Sequence, residues 1–272
     1  METIPLWCAG DLRAKDAEAP PADKEKGPLK KTLSSALCAL MITGPVYAVI
    51  PATAVAESGL HGGIIVHLNC GNGRETARIP SGDTFLVHGL DTNTDRVEEA
   101  PAYLRAENLY GPASVVGYDG RTLPYADNVV NLIIADSLEG VPPKEAMRVL
   151  VPGGTIIIGG TKTVKPRPDS IDDWPQYLNK ADNNAVAMDS VVGPPRRIQW
   201  VDNPVWARSH MAISTLVSLV SGNGRLFSIE DTAPTENPFL PAAFKIVARD
   251  AFNGKTLWTR KITQWDSVTM YI

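Results

Sequence analysis

Cysteine, histidine and phenylalanine are scarce in this sequence of 272 residues, which contains 3, 4 and 5 of them, respectively. The cysteines, Cys8, Cys38 and Cys70, have no CxxC spacing, and this argues against a zinc site and a disulfide framework. No grouping of serine or cysteine with histidine indicates nucleophilic catalysis. The net charge is -4, so the basic face that binds a nucleic-acid backbone is also lacking. We therefore expect no metal and no nucleic-acid partner.

Two segments precede the first sheet-like pattern. Residues 1–31 are polar, charged and proline-bearing, and this composition predicts disorder because it buries too little apolar surface. Residues 32–56 carry no charge, follow Lys30 and Lys31, and end in an A-x-A pattern at Ala56. A basic start, an apolar middle and a small-residue end are typical of a secretory signal.

Prolines interrupt this apolar segment, and a membrane anchor and a core helix are the alternatives to a signal. A signal would export the protein to the periplasm or the exterior. An anchor would attach it to a membrane through residues 32–56, and a core helix would leave it in the cytoplasm.

Short apolar runs alternate with helical stretches over residues 57–161. This alternation predicts parallel strands joined by crossover helices, in five β-α repeats. The pattern therefore predicts a Rossmann-like, doubly wound α/β domain. The predicted strands are 63–68, 84–90, 113–118, 129–135 and 155–159, and the main helices are 94–107 and 143–150.

A glycine turn, IVHLNCGNG, ends the first strand. Gly71 and Gly73 allow the backbone to approach a nucleotide-like ligand closely. Asp91 closes the second strand 20 residues after Gly71, where a carboxylate can bind both hydroxyls of a ribose. The spacing predicts a nucleoside site.

Two further phrases extend this pattern, DGRTLPYAD after the third strand and RVLVPGG before the fifth. The four elements, in this order from Gly63 to Gly160, resemble class I S-adenosylmethionine-dependent methyltransferases, including small-molecule and ubiquinone-pathway enzymes. An NAD-binding domain would more usually show GxGxxG. The resemblance implies S-adenosylmethionine as the cofactor and a small-molecule or protein methyl acceptor.

The resemblance also assigns roles to the strand ends. The glycine turn would cradle the amino-acid part of the cofactor, and the acidic residue after the second strand would hold the ribose. The acidic residue and glycine after the third strand would contact the adenine amino group, and the acidic residue after the fourth would line the substrate rim. The implied cofactor-binding residues are Asn69, Gly71, Asn72, Gly73, Asp91, Asp119, Gly120 and Asp136.

Three positions depart from the family pattern. His67 replaces the usual acidic residue, Asn69 replaces the first glycine, and Asn131 stands where aspartate is common. Methyl transfer depends mainly on how the cofactor and the acceptor are positioned, so the sequence identifies no dedicated catalytic residue. His88 and Asp136 are candidate general bases by their positions in the sequence. The alternative is a non-catalytic binding or scaffold protein that keeps the fold, since fold does not imply function.

The last third of the sequence lacks the alternation of strand and helix patterns. Residues 162–195 are a predicted linker, and five short strand-like runs follow within residues 196–272: RIQWV, TLVSLVS, GRLFSIE, FKIVARD and KTLWTRKI. They predict a small all-β unit.

The phrase VARDAFNGKTLWTRKI resembles a quinoprotein-type β-propeller repeat, through Ala248, Asp250, Gly254 and Trp258. The resemblance implies a tight turn between two strands, a tryptophan packed on the next blade, and blades that bind protein partners; an ordinary hairpin is the alternative. A third functional hypothesis, a quinone-dependent dehydrogenase, is supported by this repeat alone. Too few strands are present to close a propeller, so we expect a fragment of a longer protein, similar to planctomycete-type multidomain proteins.

Overall fold

The computed structural model describes residues 51–190, 198–202, 204, 215–234 and 240–263. All of them belong to one compact unit, Pro45–Ile272. The predicted disordered segment 1–31 and residues 32–50 of the signal-like segment lie outside the described residues. Among the described helices, none combines the length and apolar character needed to cross a membrane.

The first sheet has six strands in the order β3-β2-β1-β4-β5-β6. Strands β1 to β5 are parallel, and β6 pairs antiparallel with β5. This order of parallel strands confirms the predicted Rossmann-like sheet. The strands are β1 (Gly63–Leu68), β2 (Phe85–Asp91), β3 (Ala113–Gly117), β4 (Val130–Ala135), β5 (Leu150–Ile158) and β6 (Thr161–Val164).

Helices cover both faces of this sheet, which is why its central strands are apolar on both sides. On one face, α1 (Pro51–Ser58), a 3₁₀ turn (Thr76–Arg78) and α2 (Thr94–Ala106) enclose one core cluster. On the other face, α3 (Pro143–Val149) and the loop before β4 enclose a second cluster. Successive side chains of β1 point into opposite clusters, as the pleat requires.

Two predicted boundaries fall inside elements of the structure. The predicted linker begins at residue 162, but residues 162–164 belong to β6, whose edge pairing with β5 completes the sheet. The boundary at residues 56 and 57 falls inside α1, whose Ala54 and Val55 are buried in the first core cluster. Cleavage after Ala56 would therefore remove six residues of a core helix.

Two predicted elements are also absent from the described residues. The expectation of five β-α repeats is wrong, because the described chain from β3 to β4 contains no helix and the link from β1 to β2 contains only the 3₁₀ turn. The run RIQWV is not a strand over its described residues 198–201, where Trp200 instead donates its indole N–H to the carbonyl of Ala251, at 3.2 Å.

The second sheet has four antiparallel strands in the order β10-β9-β8-β7, which confirms four of the predicted strands. Asp250 and Gly254 form the predicted turn between β9 and β10, where the Gly254 N–H donates to the Asp250 carbonyl at 2.9 Å. A propeller remains a prediction. The strands are β7 (Leu216–Gly222), β8 (Arg225–Asp231), β9 (Phe244–Asp250) and β10 (Thr256–Lys261).

The β9–β10 turn docks the second sheet against the amino ends of β1 and β4. Asn131 at the start of β4 donates its amide to the Asp250 carboxylate at 2.7 Å. The side-chain Oδ1 of Asn131 accepts from the Ile64 backbone N–H at 2.8 Å and from the Asn253 side-chain amide at 2.7 Å. The amide of Asn253 also donates to the carbonyl of Val129, at 2.8 Å. The two sheets are therefore joined by buried hydrogen bonds at the end of the first sheet opposite its carboxyl edge.

An ion cluster, in which Arg249 and Glu230 are buried, stabilises the second sheet itself. The guanidinium of Arg249 lies 2.6 Å from the Glu230 carboxylate and 2.7 Å from that of Asp202. Ser228 also donates its hydroxyl to Glu230, at 2.7 Å. Buried charges of this kind require such pairing, because an isolated one is costly.

Candidate functional site at the carboxyl edge of the first sheet

The carboxyl ends of β1 and β4 lie side by side in the middle of the first sheet. The chain leaves β1 towards β2 on one side and leaves β4 towards β5 on the other. This reversal is the topological switch point, where open α/β sheets bind their ligands. The loops after β1, β2, β3 and β4 therefore form the candidate site.

The glycine turn after β1 is built from residues with left-handed backbone. Asn69, Gly71 and Gly73 have φ values of 55°, 60° and 83°. A Cβ on Gly73 would lie 3.2 Å from the Ala100 Cβ of α2, so this glycine allows the helix to pack closely. A Cβ on Gly71 would meet nothing within 4 Å. Gly71 therefore faces open space, as a residue that cradles a ligand must.

Asp91, at the end of β2, is fixed by the glycine turn. Its Oδ2 accepts from the Gly71 N–H at 2.7 Å, and its Oδ1 accepts from the Asn93 N–H at 2.8 Å. The residue is only 3% exposed. Each carboxylate oxygen can accept a second hydrogen bond, so both retain capacity for a ligand hydroxyl. Asp91 therefore lies against the glycine turn.

Asp119 follows β3 and organises its own loop. Its Oδ1 accepts from the backbone N–H groups of Arg121 at 2.8 Å and Thr122 at 2.6 Å. These hydrogen bonds hold the pKa of the Asp119 carboxyl below its usual value. Gly120 has a φ of 75°, and a Cβ there would lie 3.1 Å from the Thr92 methyl group after β2. The loops after β2 and β3 therefore meet at this pair of residues.

His67 occupies the position where a carboxylate was expected. Its Nδ1 lies 3.0 Å from the Thr76 hydroxyl, and the residue is 8% exposed. Burial lowers the pKa of His67 to about 4, against the opposing effect of Asp136 and two other carboxylates. At neutral pH the side chain is therefore uncharged. Burial likewise raises the pKa of the neighbouring Cys70 thiol to about 12, which keeps this cysteine unreactive.

Asn69 spans the switch point. Its side-chain amide donates to the carbonyl of Ser137, in the loop after β4, at 3.3 Å. The residue thus joins the two loops that flank the crevice. Asp136 is exposed at the start of the second of these loops, and its place at the substrate rim stays a prediction.

Two residues noted from the sequence lie away from this edge. His88 stands three residues before the end of β2, and its Nδ1 lies 2.6 Å from the Tyr125 hydroxyl. Burial lowers the pKa of His88. Asn131 binds the second sheet at the opposite end, so its departure from aspartate has a structural cause: it must donate a hydrogen bond to Asp250.

Tyr118 also lies at the carboxyl edge of the first sheet, directly after β3. It directly precedes Asp119, and its hydroxyl is buried without a hydrogen-bond partner among the described residues. No sequence signal marks it, because a tyrosine at the end of a strand is also typical of ordinary core packing.

One cavity between the sheets lies at the other end of the first sheet. It has a volume of ≈ 180 Å³ and is lined by the Gly59–Gly62 turn, Asn131, Gly153, Arg225 and Asp250, among others. Within the described ranges, no three histidine, cysteine, aspartate or glutamate residues are grouped to hold a metal ion.

No protein-family model matches the chain, and no curated protein matches it. Among solved structures, the chain is similar to a SAM-dependent methyltransferase from Aquifex aeolicus, at 22% identity and a TM-score of 0.35, covering 40% of this chain and 62% of that one. It is also similar to geranyl diphosphate C-methyltransferase from Streptomyces coelicolor A3(2), which was solved with Mg2+, geranyl diphosphate and S-adenosyl-L-homocysteine. That match has 17% identity and a TM-score of 0.35, and covers 39% of this chain and 41% of that one.

A third similar structure is the [4+2]-cyclase SpnF, at 24% identity and a TM-score of 0.34, covering 39% of this chain and 42% of that one. The chain therefore spans less than two thirds of each of these three proteins. Likeness at this level carries no functional conclusion, and the proposal below rests on the residues of the carboxyl edge.

Proposed function

We propose that the chain binds S-adenosylmethionine at the carboxyl edge of the first sheet and transfers its methyl group to a small-molecule or protein acceptor. The observation that supports this most directly is the fixed orientation of Asp91. Its carboxylate is held by the Gly71 N–H at 2.7 Å, beside the open space that Gly71 faces. A rigid carboxylate beside a glycine turn suits the two hydroxyls of a ribose.

The neighbouring loop suits the adenine half of the cofactor. Asp119 is exposed, and its lowered pKa keeps it ionised at neutral pH. The backbone N–H groups of Arg121 and Thr122 both donate to the Oδ1 of Asp119. An ionised carboxylate at this position is an acceptor for the amino group of adenine.

The amino-acid half of the cofactor is held less firmly in this proposal. A buried, uncharged His67 offers no ionic contact to an ammonium group. Asn69 is already engaged with the carbonyl of Ser137, at 3.3 Å. We therefore expect the nucleoside half to contribute most of the affinity.

When bound, S-adenosylmethionine supplies an electrophilic methyl group for in-line displacement. The residues of this chain contribute mainly by positioning, which is sufficient for much of the barrier reduction in such a reaction. Asp136, exposed at the rim, is the remaining candidate for accepting a proton from a hydroxyl or amine acceptor. His88 does not fit that role, because it lies about 10 Å back along β2 at the usual rise per residue, against Tyr125.

The test is calorimetric titration of the full chain with S-adenosylmethionine and S-adenosylhomocysteine. Asp91→Ala should abolish binding, while Asp95→Ala, which removes an exposed carboxylate from the first turn of α2, should leave it unchanged. Circular dichroism of each variant shows whether it is folded. Binding that is lost only in Asp91→Ala supports the proposal, and a folded wild-type chain that binds neither ligand refutes it.

A second candidate function is a non-catalytic binding module, and the Asn69 contact favours it. By joining the loops after β1 and β4, Asn69 narrows the crevice that a cofactor would enter. In that case the second sheet would bind a protein partner through exposed apolar side chains, including Leu216, Leu219 and Trp258. Failure of both titrations above would favour this candidate.

A further inference from the structure

The Tyr118 hydroxyl is a buried polar group to which the described residues offer no hydrogen bond. It has no hydrogen-bond partner among the described residues, although its oxygen is shielded from solvent. The ring packs against the second core cluster. A buried hydroxyl without a partner destabilises a protein, so such a group needs an explanation.

The backbone of Tyr118 lies next to the two residues whose carboxylates are assigned to the nucleoside. The backbone N–H of Tyr118 donates to the carbonyl of Asp91 at 3.1 Å, and the next residue along the chain is Asp119. Burial raises the pKa of Tyr118, and Glu139, Asp91 and Asp119 raise it further. The phenol is therefore protonated at neutral pH and remains a hydrogen-bond donor.

The loops that cover this region are in close contact. A Cβ on Gly140, after β4, would lie 3.0 Å from the carbonyl oxygen of Gly120, after β3. Glu139 and Gly140 have positive φ values of 43° and 111°. A ligand that enters between these two loops would part them beside Tyr118.

We propose that Tyr118 is a specificity-determining residue whose hydroxyl donates a hydrogen bond to the adenosine half of the ligand. This inference rests on the proposed function. The acceptor would be a ring nitrogen of the base or an oxygen of the ribose, which are the acceptors that an adenosine bound beside Asp91 and Asp119 offers. Binding then supplies the partner that the hydroxyl lacks in the free protein.

The experiment compares Tyr118→Phe with Tyr125→Phe in the full chain. Tyr125 is the matched control because its hydroxyl already has a partner, the His88 Nδ1 at 2.6 Å. Each variant is titrated with adenosine and with S-adenosylhomocysteine, and its melting temperature is measured without ligand. We expect Tyr118→Phe to weaken both ligands about 3- to 10-fold, as loss of one hydrogen bond would, without lowering the melting temperature. Tyr125→Phe should lower the melting temperature and leave both affinities unchanged.

Other outcomes overturn the inference in distinguishable ways. Unchanged affinity in Tyr118→Phe, or a loss for S-adenosylhomocysteine without a loss for adenosine, overturns the role of Tyr118 while the proposed function stands. A melting temperature lowered as far as in Tyr125→Phe would show that the Tyr118 hydroxyl has a structural partner. A wild-type chain that binds neither ligand overturns the proposed function and this inference with it.

Discussion

Replacing Asn131 by aspartate should destabilise the protein strongly at neutral pH and only weakly in acid. The side chain is 4% exposed and donates its amide to the Asp250 carboxylate at 2.7 Å, where Asp250 is 6% exposed. In Asn131→Asp, two carboxylate oxygens would face each other at this distance. Like charges so close and so buried cannot both remain ionised.

The expected loss in the free energy of unfolding follows from the proton that one of the two carboxylates must take up. Protonating a carboxyl of ordinary pKa near 4 at pH 7 costs three pKa units, about 4 kcal/mol. Breaking a buried charged pair by mutation costs a similar amount, about 3–5 kcal/mol. The variant's folded-state pKa lies above its unfolded value, so the penalty shrinks as the pH falls and should be below about 1 kcal/mol near pH 4.

Urea unfolding of the wild type and Asn131→Asp from pH 4 to pH 7.5 measures this difference directly. The double variant Asn131→Asp with Asp250→Asn is the matched control, because it exchanges donor and acceptor. The new asparagine would donate to the new aspartate, which keeps its bonds from Ile64 and Asn253. The double variant should recover most of the lost stability. A penalty that does not change with pH, or no recovery in the double variant, would refute the reasoning.

Three further predictions concern other buried groups. The pKa of His67 near 4 lies below its unfolded value of 6.5, so the free energy of unfolding of the wild type should fall on the order of 3 kcal/mol from pH 6.5 to pH 4. In urea unfolding, His67→Asn should show a smaller fall over the same pH range. Gly254→Ala, where φ is 74° and an indole ring occupies the Cβ position, should lower the melting temperature well beyond Gly153→Ala, where φ is 81° and the space is open; equal effects would contradict this. Arg249→Leu should cost about 3–5 kcal/mol in denaturant unfolding because Glu230 loses its buried guanidinium partner. Adding Glu230→Leu should recover part of that cost, and a double variant without any recovery would contradict this.

The sequence predicted the strands of both sheets to within a few residues, except β6 and the extended start of β5. Continuous apolar runs and the glycine turn are local sequence signals that indicate strands and strand ends. Each strand of the parallel sheet contains or adjoins at least one such signal. The strand β6 was missed because its residues are exposed on an edge, so TKTV has no apolar alternation. The start of α1 was not predictable, because an apolar segment with small residues suits a membrane anchor, a signal and a core helix equally.

The candidate site was predictable only in part. The contact between Gly71 and Asp91 follows from parallel pairing of β1 and β2, which brings their carboxyl ends together. The role of Asn131 was not predictable, because its partner Asp250 is 119 residues away in sequence and belongs to another sheet. Contacts of that range leave no local pattern, and a family comparison alone would interpret Asn131 as a lost functional residue.

The same separation affects the order of events during synthesis. Asn131 and the amino ends of β1 and β4 leave the ribosome long before the β9–β10 turn that binds them. At the usual rate of elongation, a delay of 119 residues lasts on the order of 10 s. During that interval the nascent first sheet exposes an amide, a carbonyl and a glycine-lined edge to solvent, to chaperones and to other nascent chains. Pulse proteolysis of stalled chains that end before and after Asn253 would show protection of the first sheet arriving with the turn.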